Sequence, residues 1–320
     1  MNSEKIQKRK IMLVGTGFVG MSFAYSLLSE KGIDELVLVD VNADKAKGEQ
    51  MDLSDGLLYA NSKMKITAGS YADAVDTNIV VLTAGAAQKP GQSRLELVKI
   101  NANITKGVCE ELKKNNFDGL LVDANNPVDI MTYVAWKTSG LPKNHVIGSG
   151  TVLDSARLRH ALSERLGFAS SNIHAYIMGE HGDSSFVPWI HTYIGAKHLL
   201  EYLDENDIEL SELQDIYISV RDKAYKIIEL KKATYYGIGL ALKRIVSAIL
   251  NNEKAILPVS SYQNGEYGRE GYFIGTPTVV GSNGIEQVIS LPLNENDQQR
   301  FNHSFDTLKK TIDENLSDIL

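Results

Sequence analysis

Lys10-Ile11-Met12-Leu13-Val14-Gly15-Thr16-Gly17-Phe18-Val19-Gly20 is the stretch whose reading decides the fold. Its first half reads as a buried strand, and its three glycines, spaced G-x-G-x-x-G, open a helical pattern that runs toward Gly32. The spacing alone is common. Directly after a strand and at the start of a helix it has a physical purpose. The first glycine permits a tight turn, the second lets a pyrophosphate approach the backbone, and the third lets helix and strand pack closely, while the helix amino terminus favours the anion. Gly15, Gly17, Phe18, Val19 and Gly20 are therefore candidate dinucleotide contacts. Asp40 follows Gly20 by twenty residues, at the end of the next strand pattern. A carboxylate there accepts hydrogen bonds from adenosine ribose hydroxyls and repels a 2′-phosphate, so the pattern predicts NAD rather than NADP.

Working outward, short β-rich apolar runs at 10–14, 35–39, 79–83, 119–123 and 145–147 alternate with helical patterns at 18–31, 43–58 and 94–116. That alternation predicts an α/β fold of the Rossmann type, a doubly wound parallel sheet covered by helices, over residues 1–150. Beyond it the pattern changes. A helix over 152–166, a mixed region, a long helical run at 211–250, a hairpin of 255–263 and 270–280 joined through Asn264-Gly265, and a last helix over 294–316 predict an α+β substrate domain at 151–320.

The chain has 320 residues, 43% hydrophobic and 23% charged, with a net charge of −7. It has the length for a sizeable core or two adjoining domains. The acidic balance gives no footprint for nucleic acid or an anionic membrane, and the basic stretch Lys5–Lys10 reads as a solvated tail. No run approaches the roughly 20 apolar residues of a membrane span, and no secretory signal opens the chain, which points to the cytoplasm. The one cysteine, Cys109, lacks Cys or His neighbours at metal-ligand spacing, so no metal site is expected.

A second signature lies in Ile177-Met178-Gly179-Glu180-His181-Gly182-Asp183-Ser184 and in Val152-Leu153-Asp154-Ser155-Ala156-Arg157-Leu158-Arg159. Asp154 and Arg157 are three apart and share a helix face, so both can point into one pocket. His181 can exchange a proton near neutrality, and a partner carboxylate would raise its pKa. Taken singly, each residue has an ordinary explanation: a surface histidine, a helix cap. Together after a dinucleotide fold they offer a proton donor, an anion to stabilise it and a cation for a carboxylate, which is what reduction of a 2-keto acid needs.

From the glycine turn to the last helix, the chain resembles the lactate and malate dehydrogenase family. The resemblance implies that His181 is the proton donor, Asp154 its orienting partner and Arg157 a bidentate clamp on the substrate carboxylate. Asn126, in Asn126-Pro127-Val128-Asp129, would hold the carbonyl oxygen and part of the cofactor. Gly85, Ala86 and Ile238 would join the NAD contacts, and Thr234 would limit the pocket near the substrate methyl. The polar stretch Ala86–Ser93 would be a lid that brings Arg94 onto the ketone. Gln88 stands where malate enzymes of the family carry arginine, and a neutral amide leaves a second carboxylate without a counterion. Pyruvate and L-lactate are then the expected pair, in fermentative glycolysis.

Two departures from the family pattern are Gln92, where glutamate is usual, and Lys232, where glycine is common. Arg159 lies two residues past Arg157, about 200° around a helix, and must serve another surface. The resemblance implies that Arg159 and His174 bind fructose 1,6-bisphosphate as an effector at a subunit interface, and that the chain forms a homo-oligomer, usually a homotetramer. Competing readings are a malate or branched 2-hydroxy acid dehydrogenase on the same scaffold, and a protein that keeps NAD without turnover.

Overall fold

The structure, a computed structural model, describes residues 8–86 and 94–320, the Arg94 side chain excepted. Gln88, Gln92 and the side chain of Arg94 therefore lie outside the described residues. The elements that shape the cofactor half are β1 (Lys10–Val14), α1 (Phe18–Leu27), β2 (Glu35–Val39), α2 (Ala43–Gly56), β3 (Lys65–Ala68), β4 (Ile79–Leu82), α3 (Arg94–Lys114), β5 (Leu120–Asp123), α4 (Val128–Ser139) and β6 (Val146–Gly148). The rest comprises α5 (Val152–Leu166), β7 (Ile173–His174), β8 (Tyr193–Ile194), β9 (Lys197–His198), α6 (Leu199–Glu205), α7 (Ser211–Lys231), α8 (Tyr236–Leu250), β10 (Ala255–Asn264), β11 (Glu270–Gly281), β12 (Gly284–Val288) and α9 (Glu295–Asn315).

Strand order across the main sheet is β12-β11-β10-β6-β5-β4-β1-β2-β3. The six strands from β6 to β3 are parallel and doubly wound, and the order reverses between β1 and β4, where such sheets bind ligands beyond the strand carboxyl ends. An antiparallel hairpin, β10–β11, joins the sheet where Ser260 pairs with Gly148 of β6.

Strand residues alternate between two cores, as a period of two requires. Met12, Val14, Val37, Val39, Val80 and Leu82 pack toward α3, α4 and α9. Ile11, Leu13, Leu36, Leu38, Ile79 and Val81 pack toward α1 and α8. A third core joins α5, α6 and α7 to the small sheet β7-β8-β9.

Several sequence expectations need correction. The helix expected to Lys31 stops at Leu27, and Gly32 takes a φ of 79° in the turn that follows. The long run at 211–250 is two helices, broken where Lys232 adopts a left-handed φ of 72°. Lys10 is not part of a solvated tail: it opens β1, is 9% exposed, and its ammonium donates to the Val75 carbonyl at 3.2 Å. β3 and β12 are short edge pieces without a clear apolar run, and α4 is buried almost all round, so it shows no amphipathic period. The Asn264-Gly265 hairpin closes through a longer loop, in which Gly265, Tyr267 and Gly268 all have positive φ. Among the described residues no helix is long and apolar enough to cross a membrane.

Candidate active site

The turn after β1 is shaped by close backbone packing. The Gly15 amide donates to the Val39 carbonyl at 2.8 Å, and Thr83, just past β4, donates its hydroxyl to the Gly15 carbonyl at 2.8 Å. Gly15 has a φ of 101°, and a Cβ on it would lie 2.6 Å from the Ala84 nitrogen. A Cβ on Gly20 would lie 2.1 Å from the Gly15 carbonyl oxygen. Gly17 differs: a Cβ there meets no heavy atom within 4 Å. No neighbouring protein atom requires a glycine at 17, the N-cap of α1, and the open space there would let a pyrophosphate approach the helix amino terminus.

Asp40 sits just past β2, and one of its oxygens accepts the Thr16 amide at 2.7 Å and hydroxyl at 2.8 Å. The other accepts the Asn42 amide at 2.9 Å, leaving a lone pair for a ribose hydroxyl. Partial burial pushes this carboxyl up, but the Asn42 and Thr16 hydrogen bonds outweigh it and hold the group below its ordinary value. Asp40 is thus an anion, suited to a ribose and unsuited to a phosphate.

Across the strand-order reversal, the Ala86 amide donates to the Asn101 side chain at 2.8 Å, and the Asn101 amide group donates to the Asn126 carbonyl at 2.8 Å. Asn101 therefore ties the Gly85-Ala86 segment to Asn126. Val19 and Ile238 pack on the same core, and Phe18 stacks on Tyr235 with ring centroids 5.2 Å apart. These contacts bring the segment holding half-buried Thr234 to the glycine turn. Gly15, Gly17, Phe18, Val19, Gly20, Asp40, Gly85, Ala86 and Asn126 all follow closely in the chain on β1, β2, β4 and β5, and Ile238 on α8 packs on the core that Val19 joins.

The second signature also converges. His181 Nδ1 lies 2.6 Å from Asp154 Oδ2, and an Arg157 guanidinium nitrogen donates to Asp154 Oδ1 at 3.2 Å. The side chains of Asp154 and Arg157 are 15% and 10% exposed and that of His181 is 32% exposed, so the ring keeps one open side for a ligand. Opposite charge on Asp154 raises His181 to about 9 against the opposing effect of burial. Burial pushes Asp154 up, but the His181 and Arg157 charges prevail and lower it. The site therefore holds an imidazolium, a carboxylate and a guanidinium at neutral pH.

The elements explain this placement. Thr151 and Ser155, at the start of α5, bind the carbonyl and amide of Ile177 at 2.6 and 2.8 Å, which fixes the chain four residues before His181 relative to Asp154. Gly179, at a φ of 97°, turns the loop, and its amide donates to the Gly275 carbonyl at 2.9 Å. Arg159 points elsewhere on α5 and donates to the Ser170 carbonyl at 2.9 and 3.2 Å, and His174 is exposed on β7 nearby in the chain.

Sequence reasoning missed Asn101, Asp129 and Ser260. The His181 amide donates to Asp129 Oδ2 at 2.8 Å, and Ser260 donates to Asp129 Oδ1 at 2.5 Å. A carboxylate set between Val128 and Ile130 was the available signal, since acids are almost never fully buried without partners.

Residues 9–148 match the model of the lactate/malate dehydrogenase NAD-binding domain, and residues 151–319 match that of the family's alpha/beta C-terminal domain. The chain belongs to the lactate/malate dehydrogenase family. Family members similar to it include the L-lactate dehydrogenase of Lactococcus lactis subsp. cremoris, 49% identical over 97% of this chain and 99% of that protein. L-lactate dehydrogenase 2 of Enterococcus faecalis is 49% identical over 96% and 98% of the two chains. Among solved structures, a minor L-lactate dehydrogenase from Enterococcus mundtii in its ligands-bound form superposes with a TM-score of 0.94 at 46% identity, covering 96% of this chain and 98% of that one. A lactate dehydrogenase from a Medee basin deep-sea metagenome library gives 0.93 at 48% identity, covering 96% and 99%. As a member of the family the chain is an NAD-dependent oxidoreductase.

Proposed function

We infer that this chain is an L-lactate dehydrogenase, with pyruvate and L-lactate as its substrate pair and NAD as its cofactor, working in the cytoplasm to reoxidise fermentative NADH. The observation that carries this reading is the His181-Asp154-Arg157 cluster, joined by contacts of 2.6 and 3.2 Å. In the division of labour we propose, residues 1–150 hold the cofactor and residues 151–320 supply the acid and the clamp.

When bound, NADH supplies the hydride that the reaction requires. His181, kept protonated by Asp154, donates from Nε2 to the ketone oxygen as negative charge grows there, and takes the proton back in lactate oxidation. Arg157 presents a planar fork to the substrate carboxylate while its other nitrogen remains on Asp154. Asn126 supports the carbonyl oxygen, Arg94 polarises it, and Thr234 limits the space for the methyl group. Gln88 gives no counterion to a second carboxylate, which favours pyruvate over oxaloacetate.

Large apolar side chains exposed on α1, just past α2 and on α8, among them Tyr25, Leu58, Tyr59 and Leu240, support association into a homo-oligomer, which we take to be a homotetramer. Arg159 and His174 are the groups we assign to fructose 1,6-bisphosphate, acting as an effector at a subunit contact. NADH oxidation followed at 340 nm with pyruvate and oxaloacetate in parallel, each with and without the bisphosphate, tests the substrate and effector assignments. Strong pyruvate preference is the expected result, and preference for oxaloacetate would overturn the role given to Gln88. Unchanged pyruvate saturation in millimolar bisphosphate would remove the effector role.

A further inference from the structure

We propose that Lys231 is a positioning residue for substrate choice: its ammonium, seated over the Tyr235 and Tyr236 rings, latches the end of α7 to the start of α8 and so fixes the wall that Thr234 gives the substrate pocket. The inference rests on the reading of this site as a 2-keto acid pocket with Thr234 beside the substrate methyl. The two helices that meet here are held very differently. α8 is wedged at its start: a Cβ on Gly239 would lie 2.8 Å from the Phe23 nitrogen on α1, and one on Gly237 would lie 2.9 Å from a Leu153 methyl on α5. Leu153 stands directly before Asp154, so the start of α8 is tied to the helix that carries the acid's partner and the clamp. α7 has its buried residues, Leu213, Tyr217 and Val220, in its first half, and its second half exposes Tyr225, Ile228 and Leu230. The last turns of α7 therefore have little core burial to anchor them.

Between the helices the chain turns within Lys232–Tyr235, and Thr234 lies half-buried inside the turn. Lys232 takes its left-handed φ of 72° there, a conformation that a side chain other than glycine keeps only where neighbours hold it. Lys231 supplies such a hold. Its Nζ lies 3.5 Å from the Tyr235 ring centroid and 4.2 Å from that of Tyr236, and the two rings pack edge to face at 4.5 Å. The same ammonium, ahead of the Tyr236 hydroxyl, holds the Tyr235 hydroxyl below the ordinary phenol value. Tyr235 in turn stacks on Phe18, the first residue of α1, with the ring planes 28° apart. Lysine, two tyrosines and phenylalanine thus form one continuous column from the end of α7 to the glycine turn.

Loosening this column lets Thr234 recede and admits a larger substrate side chain. One methylene separates substrates by about 10- to 200-fold where a pocket wall is firm. The ratio of kcat/KM for pyruvate to that for 2-oxobutanoate, which is one methylene longer, therefore reads the position of the wall. A neutral side chain of similar length loses the attraction of a cation for the ring face, whereas an arginine keeps it.

The test compares full-length wild type, Lys231→Gln, Lys231→Arg and Tyr235→Ala for that ratio and for backbone hydrogen exchange over residues 226–233. Lys231→Gln is expected to lower the ratio about threefold and to speed exchange at the end of α7, with pyruvate kcat within about twofold of wild type. Lys231→Arg should keep both readouts at their wild-type values, because a guanidinium also stacks on aromatic faces. Tyr235→Ala removes both the seat of the lysine and the Phe18 stack, and should lower the ratio about tenfold. An unchanged ratio in Lys231→Gln overturns the proposal. An equal fall in Lys231→Gln and Lys231→Arg overturns it too, since the cation over the ring would then not be the cause. If Tyr235→Ala does not fold, the two Lys231 variants decide. A wild type that reduces neither 2-keto acid would overturn the proposed function instead. Exchange then still tests the latch: faster exchange in Lys231→Gln supports it, and equal exchange removes it.

Discussion

The turn at residues 15–20 keeps its shape through what its glycines lack, whereas the loop at residues 179–185 keeps its shape through groups sent from other elements. In the turn, the strand, the glycines and the helix are consecutive, and the closest approaches are backbone to backbone. In the loop, Asp129 comes from α4, Asp154 from α5, Gly275 from β11 and Ser304 from α9, whose hydroxyl accepts the Glu180 amide at 2.7 Å. The turn offers an anion only neutral groups and a helix end. The loop holds a cation with carboxylates placed at long sequence distance. A cofactor site can be written into one short segment, but a tuned acid needs the whole fold.

The sharpest way to break this comparison is inside the turn. Gly20→Ala places a Cβ 2.1 Å from the Gly15 carbonyl, and we expect it to lose about 3 kcal/mol of stability, read as a lower melting temperature without ligand. Gly17→Ala meets no protein atom, so its melting temperature should match wild type while NADH affinity falls by about tenfold or more, equivalent to ~1.4 kcal/mol. Equal loss of stability in both variants would show that position 17 serves the fold rather than the cofactor. A smaller effect is expected at Lys232, which ends α7 with a φ of 72° where a glycine carries no Cβ penalty. Lys232→Gly should raise stability by about 1 kcal/mol, measured by denaturant midpoint, with no change in kcat.

The same contrast explains what could be read in advance. The β1–α1 turn, Asp40 and the parallel alternation rest on local spacing, so residues 10–40 announce them directly. The Asp154-Arg157 pair follows from helical periodicity, and its meeting with His181 was legible only through family resemblance, because 27 residues separate Asp154 from His181. α4 escaped because burial on all sides erases the amphipathic period, and Asp129 within it escaped with it. Asn101 looks like any polar residue on a helix. Its two bonds, to Ala86 and Asn126, exist only after β4 and β5 lie side by side.

If Asp154 keeps His181 protonated for the reaction, the pH dependence of kcat in wild type and Asp154→Asn shows it most directly. With His181 raised to about 9, pyruvate reduction should hold through neutrality and fall as pH rises through about 9, while lactate oxidation, which needs the neutral ring, should rise over the same range. Removing the charge at 154 should carry the alkaline limb of reduction down toward the ordinary imidazole value of 6.5. A limb that stays near 9 in a folded Asp154→Asn would contradict the claim and assign the proton to another group.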